Sequence, residues 1–302
     1  MNDIEKNVIP FKSGYVVIVG EPNVGKSTLM NNFLAMKLSI VTPKPQTTRH
    51  RVLGIMNEQD CQVIFLDTPG LMKPRYKLHE YMLKTINKAL TEADIIIFMI
   101  DAGSPGSSNN SHMLEVISKV NVPVLLVINK IDLIDRNKIL PIINNYKNRF
   151  SFKEIIPISA LNMDGLEILK NAIKNYLPIS PPFYSREYLT EQPERFFVAE
   201  IIREKIFQIY KDEIPYSTTV TINEFKERQN SKDFISATIY LERISQKGII
   251  IGKNGIALKN LGQRARQDIE EFLGRGVYLE LHVSVKEKWR SKDSFLKQLG
   301  YN

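Results

Sequence analysis

The sequence predicts two domains: an α/β domain with a mostly parallel sheet, then a smaller α+β domain. Three observations carry that prediction. Between 14 and 177, short β-branched runs alternate with segments of helical apolar spacing, the order that builds a parallel sheet covered by helices. Leu177-Pro178-Ile179-Ser180-Pro181-Pro182-Phe183-Tyr184 then places three prolines where neither a helix nor a central strand can continue. Finally, 302 residues are more than one hydrophobic core usually organises. The expected division is 1–177, a proline-rich linker at 178–194, and 195–302.

In the first domain, strands are expected near 15–19, 51–57, 62–66, 95–101, 122–128 and 154–158, and helices near 26–35, 78–90, 110–120, 138–148 and 165–176. The strand at 15–19 feeds Gly20-Glu21-Pro22-Asn23-Val24-Gly25-Lys26-Ser27, a complete G-x-x-x-x-G-K-[ST] phosphate loop, and Thr28 continues into a helix. Glycines at 20 and 25 let the backbone curl so that its N–H groups face phosphate. Lys26 adds a cation, and Ser27 can ligate Mg²⁺.

Three further motifs follow at strand ends, where open α/β sheets bind ligands. Asp67-Thr68-Pro69-Gly70 follows the strand at 62–66: the carboxylate can hold Mg²⁺ through water, and the Gly70 N–H can meet a γ-phosphate oxygen and lose it on hydrolysis. In Asn129-Lys130-Ile131-Asp132, the Asp132 carboxylate can accept from guanine N1–H and the exocyclic amine, a donor pair that adenine lacks, so this motif selects GTP over ATP. Asn129 and the Lys130 stem would brace the base and the phosphate loop. Ser159-Ala160 closes the pocket, with the Ala160 N–H expected at guanine O6. Between the first helix and the strand at 51–57, Pro45-Gln46-Thr47-Thr48-Arg49-His50 offers a threonine hydroxyl to Mg²⁺ and the γ-phosphate. Spacing does not separate Thr47 from Thr48; Thr48 is the preferred candidate.

Bulk properties narrow the class. Apolar residues at 43% and charged residues at 25% fit a packed globular protein. The longest apolar runs, 95–100 and 122–128, are each one buried strand long and too short to span a membrane. The first six residues lack a basic start and apolar core, so no signal peptide is expected. The single cysteine, Cys61, cannot form an internal disulfide and fits a reducing cytosol. A net charge of +8 favours an anionic partner, RNA or an acidic membrane surface, but has to be located before it means anything.

In this order and at these positions, the motifs resemble the five nucleotide-binding motifs of translation-factor-type GTPases. The resemblance implies GTP and GDP as ligands, with Lys26, Thr48 and Gly70 acting on the γ-phosphate and Ser27, Thr48 and Asp67 around Mg²⁺. After Gly70 the chain has Leu71 where Ras-like enzymes carry a water-orienting glutamine, so intrinsic hydrolysis is expected to be slow. Asn23 resembles the residue that helps bind K⁺ in some relatives, which makes K⁺ stimulation an expectation.

Beyond the linker, 195–211 has helical spacing, strand-like runs follow near 217–224 and 234–243, and a helical run at 256–273 precedes a last strand near 277–285. The order α-β-β-α-α-β, with Gly252-Lys253-Asn254-Gly255 between the later helices, resembles a type II KH domain. There the loop is expected to clamp the sugar-phosphate backbone of single-stranded nucleic acid through the Gly252 and Gly255 N–H groups and the Lys253 charge. Arg243, Lys247, Lys253, Lys259, Arg264 and Arg266 lie in a stretch without a single acid, so the positive charge gathers around that loop. Trp289 is either a base-stacking residue or part of the core, and 286–290 is a candidate RNA or membrane-surface contact.

A GTPase domain with Leu71, a proline linker and this KH-like domain together resemble the bacterial Era family across essentially the whole chain. That resemblance implies a monomeric GTP-dependent RNA-binding protein that recognises the 3′ end of 16S ribosomal RNA and acts in assembly of the small ribosomal subunit. It also implies a cytoplasmic location with a peripheral inner-membrane fraction. Rival readings are a GTPase working on another RNA, a KH-like domain that recruits protein, and a membrane-acting GTPase.

Overall fold

The computed structural model describes residues 10–301; the N-terminal segment read for a signal peptide lies outside them. Two compact units emerge. The first comprises 10–39, 51–72 and 85–191, and the second 40–50, 73–84 and 192–301.

The first unit is built on β1 (Lys12–Gly20), α1 (Lys26–Leu34), β2 (Val52–Asn57) and β3 (Cys61–Asp67), then the C-terminal half of α2 (Lys77–Glu92), whose residues up to 84 group with the second unit, β4 (Ile95–Asp101) and α3 (Ser108–Ile117). It is completed by β5 (Val124–Asn129), α4 (Ile139–Lys147), β6 (Glu154–Pro157) and α5 (Leu166–Tyr176). Among the described residues these strands form a six-stranded sheet in the order β2-β3-β1-β4-β5-β6. All pairings are parallel except β2 with β3. The central strands are apolar throughout rather than alternating, because helices cover both faces. Val16 to Val19, Ile95 to Ile100 and Leu125 to Ile128 are all 0% exposed. The chain passes from β1 to β2 and β3 on one side of it and then to β4 on the other, so the strand order reverses at β1, and the crevice there receives the loop after β1. Cys61 is buried and burial pushes its thiol up to about 11, so it is an inert core residue.

The second unit contains α6 (Glu194–Ile209), the short α7 (Ile214–Ser217), β7 (Thr219–Lys226), β8 (Asp233–Leu241), α8 (Ile244–Ile251), α9 (Ile256–Leu273), β9 (Val277–Val285) and α10 (Asp293–Gln298). Among the described residues its sheet runs β7-β8-β9, antiparallel then parallel. Parallel β8 and β9 need a crossover, which α8 and α9 supply. Ile235, Ala237, Ile239 and Leu241 alternate along β8 and pack with α6 and α9 residues such as Ile202, Leu261 and Ile269 in one apolar cluster. Where a strand is expected at 217–224, α7 occupies the start, with Pro215 in its first turn, and β7 begins at Thr219. Trp289 is 0% exposed and its indole N–H donates to the Ser217 carbonyl at 2.7 Å, so the core alternative holds and the base-stacking one does not.

Candidate nucleotide and nucleic-acid sites

The phosphate loop is the turn from Gly20, the last residue of β1, to Lys26, the first of α1. Gly25 caps α1 at φ 103°, a conformation L side chains rarely adopt, and a Cβ there would lie 2.3 Å from Asn129 Nδ2. Asn23 is left-handed as well, at φ 65°. The turn thus sets the positive end of α1 behind the loop, with Thr28 in its first turn. Lys26 is buried, donating to the carbonyls of Gly20 (3.2 Å) and Glu21 (2.7 Å). Loss of solvent pushes its pKa down to about 8, against the opposing pull of Asp67 and Glu21. Ser107 donates to the Glu21 carboxylate. Pro22 is half-buried and Val24 buried.

At the end of β3, Asp67 is fully buried and accepts from Ser27 Oγ at 2.7 Å. The structure thus joins the two proposed metal residues in a set of hard oxygen donors, which suits Mg²⁺. Thr68 Oγ1 donates to the Ile18 carbonyl (2.7 Å), fixing the strand end against β1, and Pro69 and Gly70 are buried behind it. The Leu71 N–H donates to the Gly20 carbonyl (3.1 Å) and its side chain is buried, so it presents no group that could orient a water.

The base-recognition motif follows β5. Asn129 is 3% exposed, donates through Nδ2 to the Val24 carbonyl (2.7 Å) and accepts through Oδ1 from the Ala160 N–H (2.8 Å). It therefore ties the phosphate loop to the Ser159-Ala160 loop. This corrects the expectation for Ala160, whose N–H is engaged by Asn129 rather than aimed at guanine O6. Buried Ser159 Oγ accepts from the Asn162 N–H at 3.2 Å. Lys130 is left-handed at φ 64° and opens the short 3₁₀ turn Ile131–Leu133 that carries the exposed Asp132 carboxylate.

Thr48 belongs to the segment 40–50, which packs within the second unit. Buried Arg49 donates to the carbonyls of Thr218 (2.6 Å), Tyr216 (3.0 Å) and Pro215 (3.2 Å), and lies over the rings of Trp289 and Phe207. Arg203 of α6 donates to the Thr47 carbonyl, and Glu204 accepts from the Val41 N–H at 3.1 Å. Lys44 caps α6 by donating to the carbonyls of Phe207 and Tyr210. Thr47 Oγ1 sits 2.7 Å from both Thr42 Oγ1 and the Lys44 carbonyl, so Thr47 serves the internal turn of the segment. The segment 73–84 is built into the same unit, where Leu78, Tyr81 and Met82 pack with Trp289, Phe295 and Leu296.

Between α8 and α9, Gly252 adopts φ 70° and a Cβ there would lie 2.6 Å from the Ala257 Cβ. Asn254 (φ 53°) and Gly255 (φ 75°) complete a tight turn that exposes Lys253 and Asn254 at its tip. The glycine N–H groups are not the phosphate donors expected of them. Gly252 donates to the Gly248 carbonyl (2.9 Å) and Gly255 to the Gly252 carbonyl (3.3 Å), which leaves the exposed tip residues as the candidates for a phosphate contact. Beyond the turn, α9 and β9 border a groove of about 380 Å³ with Leu258, Leu279 and Leu281 on its floor and Lys259, Gln263 and Arg266 on its rim. Arg264 is exposed but absent from that lining, because 259, 262, 263 and 266 share a face of α9 and 264 does not. Lys247 is half-buried on α8 and also lies outside the lining. Gln263 and Tyr278 also line the groove, beyond the residues that the basic run points to; the helical period running from Gly255 reaches Gln263.

Comparison with known proteins agrees with this geometry. Residues 15–130 match the family model described as 50S ribosome-binding GTPase, and 213–290 match the KH domain model. The chain is 44% identical over 291 residues to GTPase Era of Ruminiclostridium cellulolyticum, covering 96% of this chain and 98% of that protein. It is 46% identical to GTPase Era of Geotalea uraniireducens, again covering 96% and 98%. Among solved structures, Era in complex with MgGDPNP and nucleotides 1506–1542 of 16S ribosomal RNA superposes with a TM-score of 0.93 at 43% identity, over 96% of this chain and 99% of that one.

Proposed function

The chain belongs to the GTPase Era family and is a GTPase, and from that premise we propose that it is a nucleotide-controlled RNA-binding protein of small-subunit ribosome assembly. The ligands are GTP and GDP with Mg²⁺. The residues of this chain that would hold the ion are Ser27 and Asp67, already 2.7 Å apart, with Thr48 as the γ-phosphate-dependent third ligand. When bound there, Mg²⁺ would supply charge neutralisation for phosphoryl transfer. Lys26 and the backbone of 20–27 bind the phosphates, Gly70 senses the γ-phosphate, and Asn129, Lys130 and Asp132 recognise guanine. Asn23 in its left-handed turn makes K⁺ stimulation part of the reading, and equal turnover in Na⁺ and K⁺ would remove it.

The 3′ end of 16S ribosomal RNA is the proposed partner, carried by one observation: an acid-free basic stretch whose exposed turn, Lys253 and Asn254, opens onto a groove with an apolar floor and a cationic rim. Single-stranded bases fit such a floor while phosphates meet the rim. The test replaces Lys253 and Asn254 together by Asp. Affinity for a labelled RNA of the 16S 3′ end should fall at least about tenfold, since two like charges now face phosphate, with GDP affinity retained as the control for folding. Undiminished binding would exclude this surface. Tighter binding of the unchanged protein to a large-subunit or transfer RNA would redirect the function.

A monomeric state, a cytoplasmic location and a peripheral membrane fraction belong to the same proposal. Among the described residues, no helix is long and apolar enough to cross a membrane. With Trp289 buried, 286–290 offers a bilayer charge but not an aromatic anchor. Sedimentation with anionic vesicles and light scattering on the purified protein test these points.

A further inference from the structure

Asp101 lies outside the nucleotide-binding motifs, yet it stands beside Asn129 and Lys130 of the base-recognition motif. It ends β4 in register with Asn129 of the neighbouring strand, and the Ala102 N–H continues the ladder to the Asn129 carbonyl at 2.9 Å. One oxygen of its carboxylate, Oδ1, accepts from the Gly103 N–H at 2.8 Å. The other, Oδ2, lies 2.7 Å from Lys130 Nζ. With side-chain exposures of 22% and 25%, neither partner is a freely solvated surface charge. Lys130 itself is held left-handed, and its carbonyl accepts from the Leu133 N–H at 3.0 Å, so the backbone on one side and Asp101 on the other fix both ends of its side chain.

We propose that Asp101 is a positioning residue for guanine-nucleotide binding: by anchoring the Lys130 ammonium it fixes the lysine stem as a wall of the base pocket beside Asp132. The proposal rests on the assignment of Asn129 to Asp132 as the guanine-recognition motif. A long flexible side chain loses rotamer freedom when a base packs on it, and ordering it beforehand removes that loss from the binding step. The contribution falls on the base, so it is the same for GTP and GDP and does not reach the γ-phosphate. It acts through a partly exposed ion pair, so it is modest and weakened by salt.

The test is Asp101→Asn in the full chain, an isosteric change that keeps an acceptor for the Gly103 N–H. KM for GTP and Kd for GDP should rise together by about three- to fivefold, with kcat unchanged, and the difference from the unchanged protein should shrink at high salt. In a Lys130→Met background, which keeps the stem but not the charge, Asp101→Asn should add no further loss. Unchanged affinity in Asp101→Asn, or the full loss persisting in the Lys130→Met background, would overturn the proposal. The underlying assignment is tested separately by Asp132→Asn, which should shift preference from guanine to xanthine nucleotides. Retained guanine preference there would sink the assignment itself. A shift to xanthine combined with an inert Asp101→Asn would overturn the Asp101 proposal alone.

Discussion

Lys26 and His79 show how burial sets the pH behaviour of single residues. With Lys26 held at about 8, a bound polyphosphate favours its ammonium form, so nucleotide binding takes up a proton once the free protein has lost it. Affinity for GDP is therefore expected to be level below pH 8 and to fall above it, by at most about tenfold per pH unit; a titration of Kd against pH checks this. His79 runs the other way. It is 2% exposed, its Nδ1 accepts from the Arg75 N–H at 3.2 Å, and its Nε2 lies 3.3 Å from Gln46 Oε1. Burial, reinforced by Arg290, Arg49 and Arg75, pushes its pKa from 6.5 down to about 4. Because the unfolded chain binds this proton more readily, the stability tied to neutral His79 is complete above 6.5 and is lost as pH falls towards 4. That loss amounts to about 1.4 kcal/mol per pH unit at most. His79→Gln should therefore flatten the decline of the unfolding midpoint between pH 7 and pH 5, and a decline as steep as before would show that other groups dominate. None of this was legible in the sequence, where His79 is a polar residue in an ordinary amphipathic helix.

At the scale of elements, regular periodicity transferred well and remote capping did not. The runs at 95–101 and 122–128 became β4 and β5 because continuous β-branched residues fit a strand buried on both faces. The spacing in α9 likewise locates the groove face, although Arg264 had to be separated from Lys259 and Arg266 by the helical period. The phosphate loop and the Asp67 motif were readable because local backbone geometry defines them. The segment 40–50 was not, since its hooks reach carbonyls at 207–218 that no spacing rule connects to it. For the same reason no sequence pattern shows that the Ala160 N–H is taken by Asn129, or that the turn itself uses the Gly252 and Gly255 N–H groups. Lys44 makes the segment's attachment testable. Lys44→Met removes the charge from the C-terminal carbonyls of α6, a contact worth about 0.3–1 kcal/mol, so amide exchange across 40–50 should quicken while β8 stays protected. Unchanged exchange in 40–50 would mean that Arg49 and Arg203 hold the segment without it.

For the whole molecule, the division into units cuts across the order of the chain. The segment carrying Thr48 and the segment after Gly70 both group with the unit that contains the Gly252 turn, whereas Lys26, Ser27, Asp67 and Asp132 lie in the other. In the proposed switch, a γ-phosphate that recruits Thr48 and Gly70 would act on chain segments that continue into the unit proposed to bind RNA. The decisive measurement is the affinity for single-stranded RNA of the 16S 3′ end with the protein loaded with a non-hydrolysable GTP analogue or with GDP, across a range of salt. The proposed switch requires tighter binding in the GTP-analogue form and affinity that falls steeply as salt rises. Equal affinity in the two nucleotide states would contradict it.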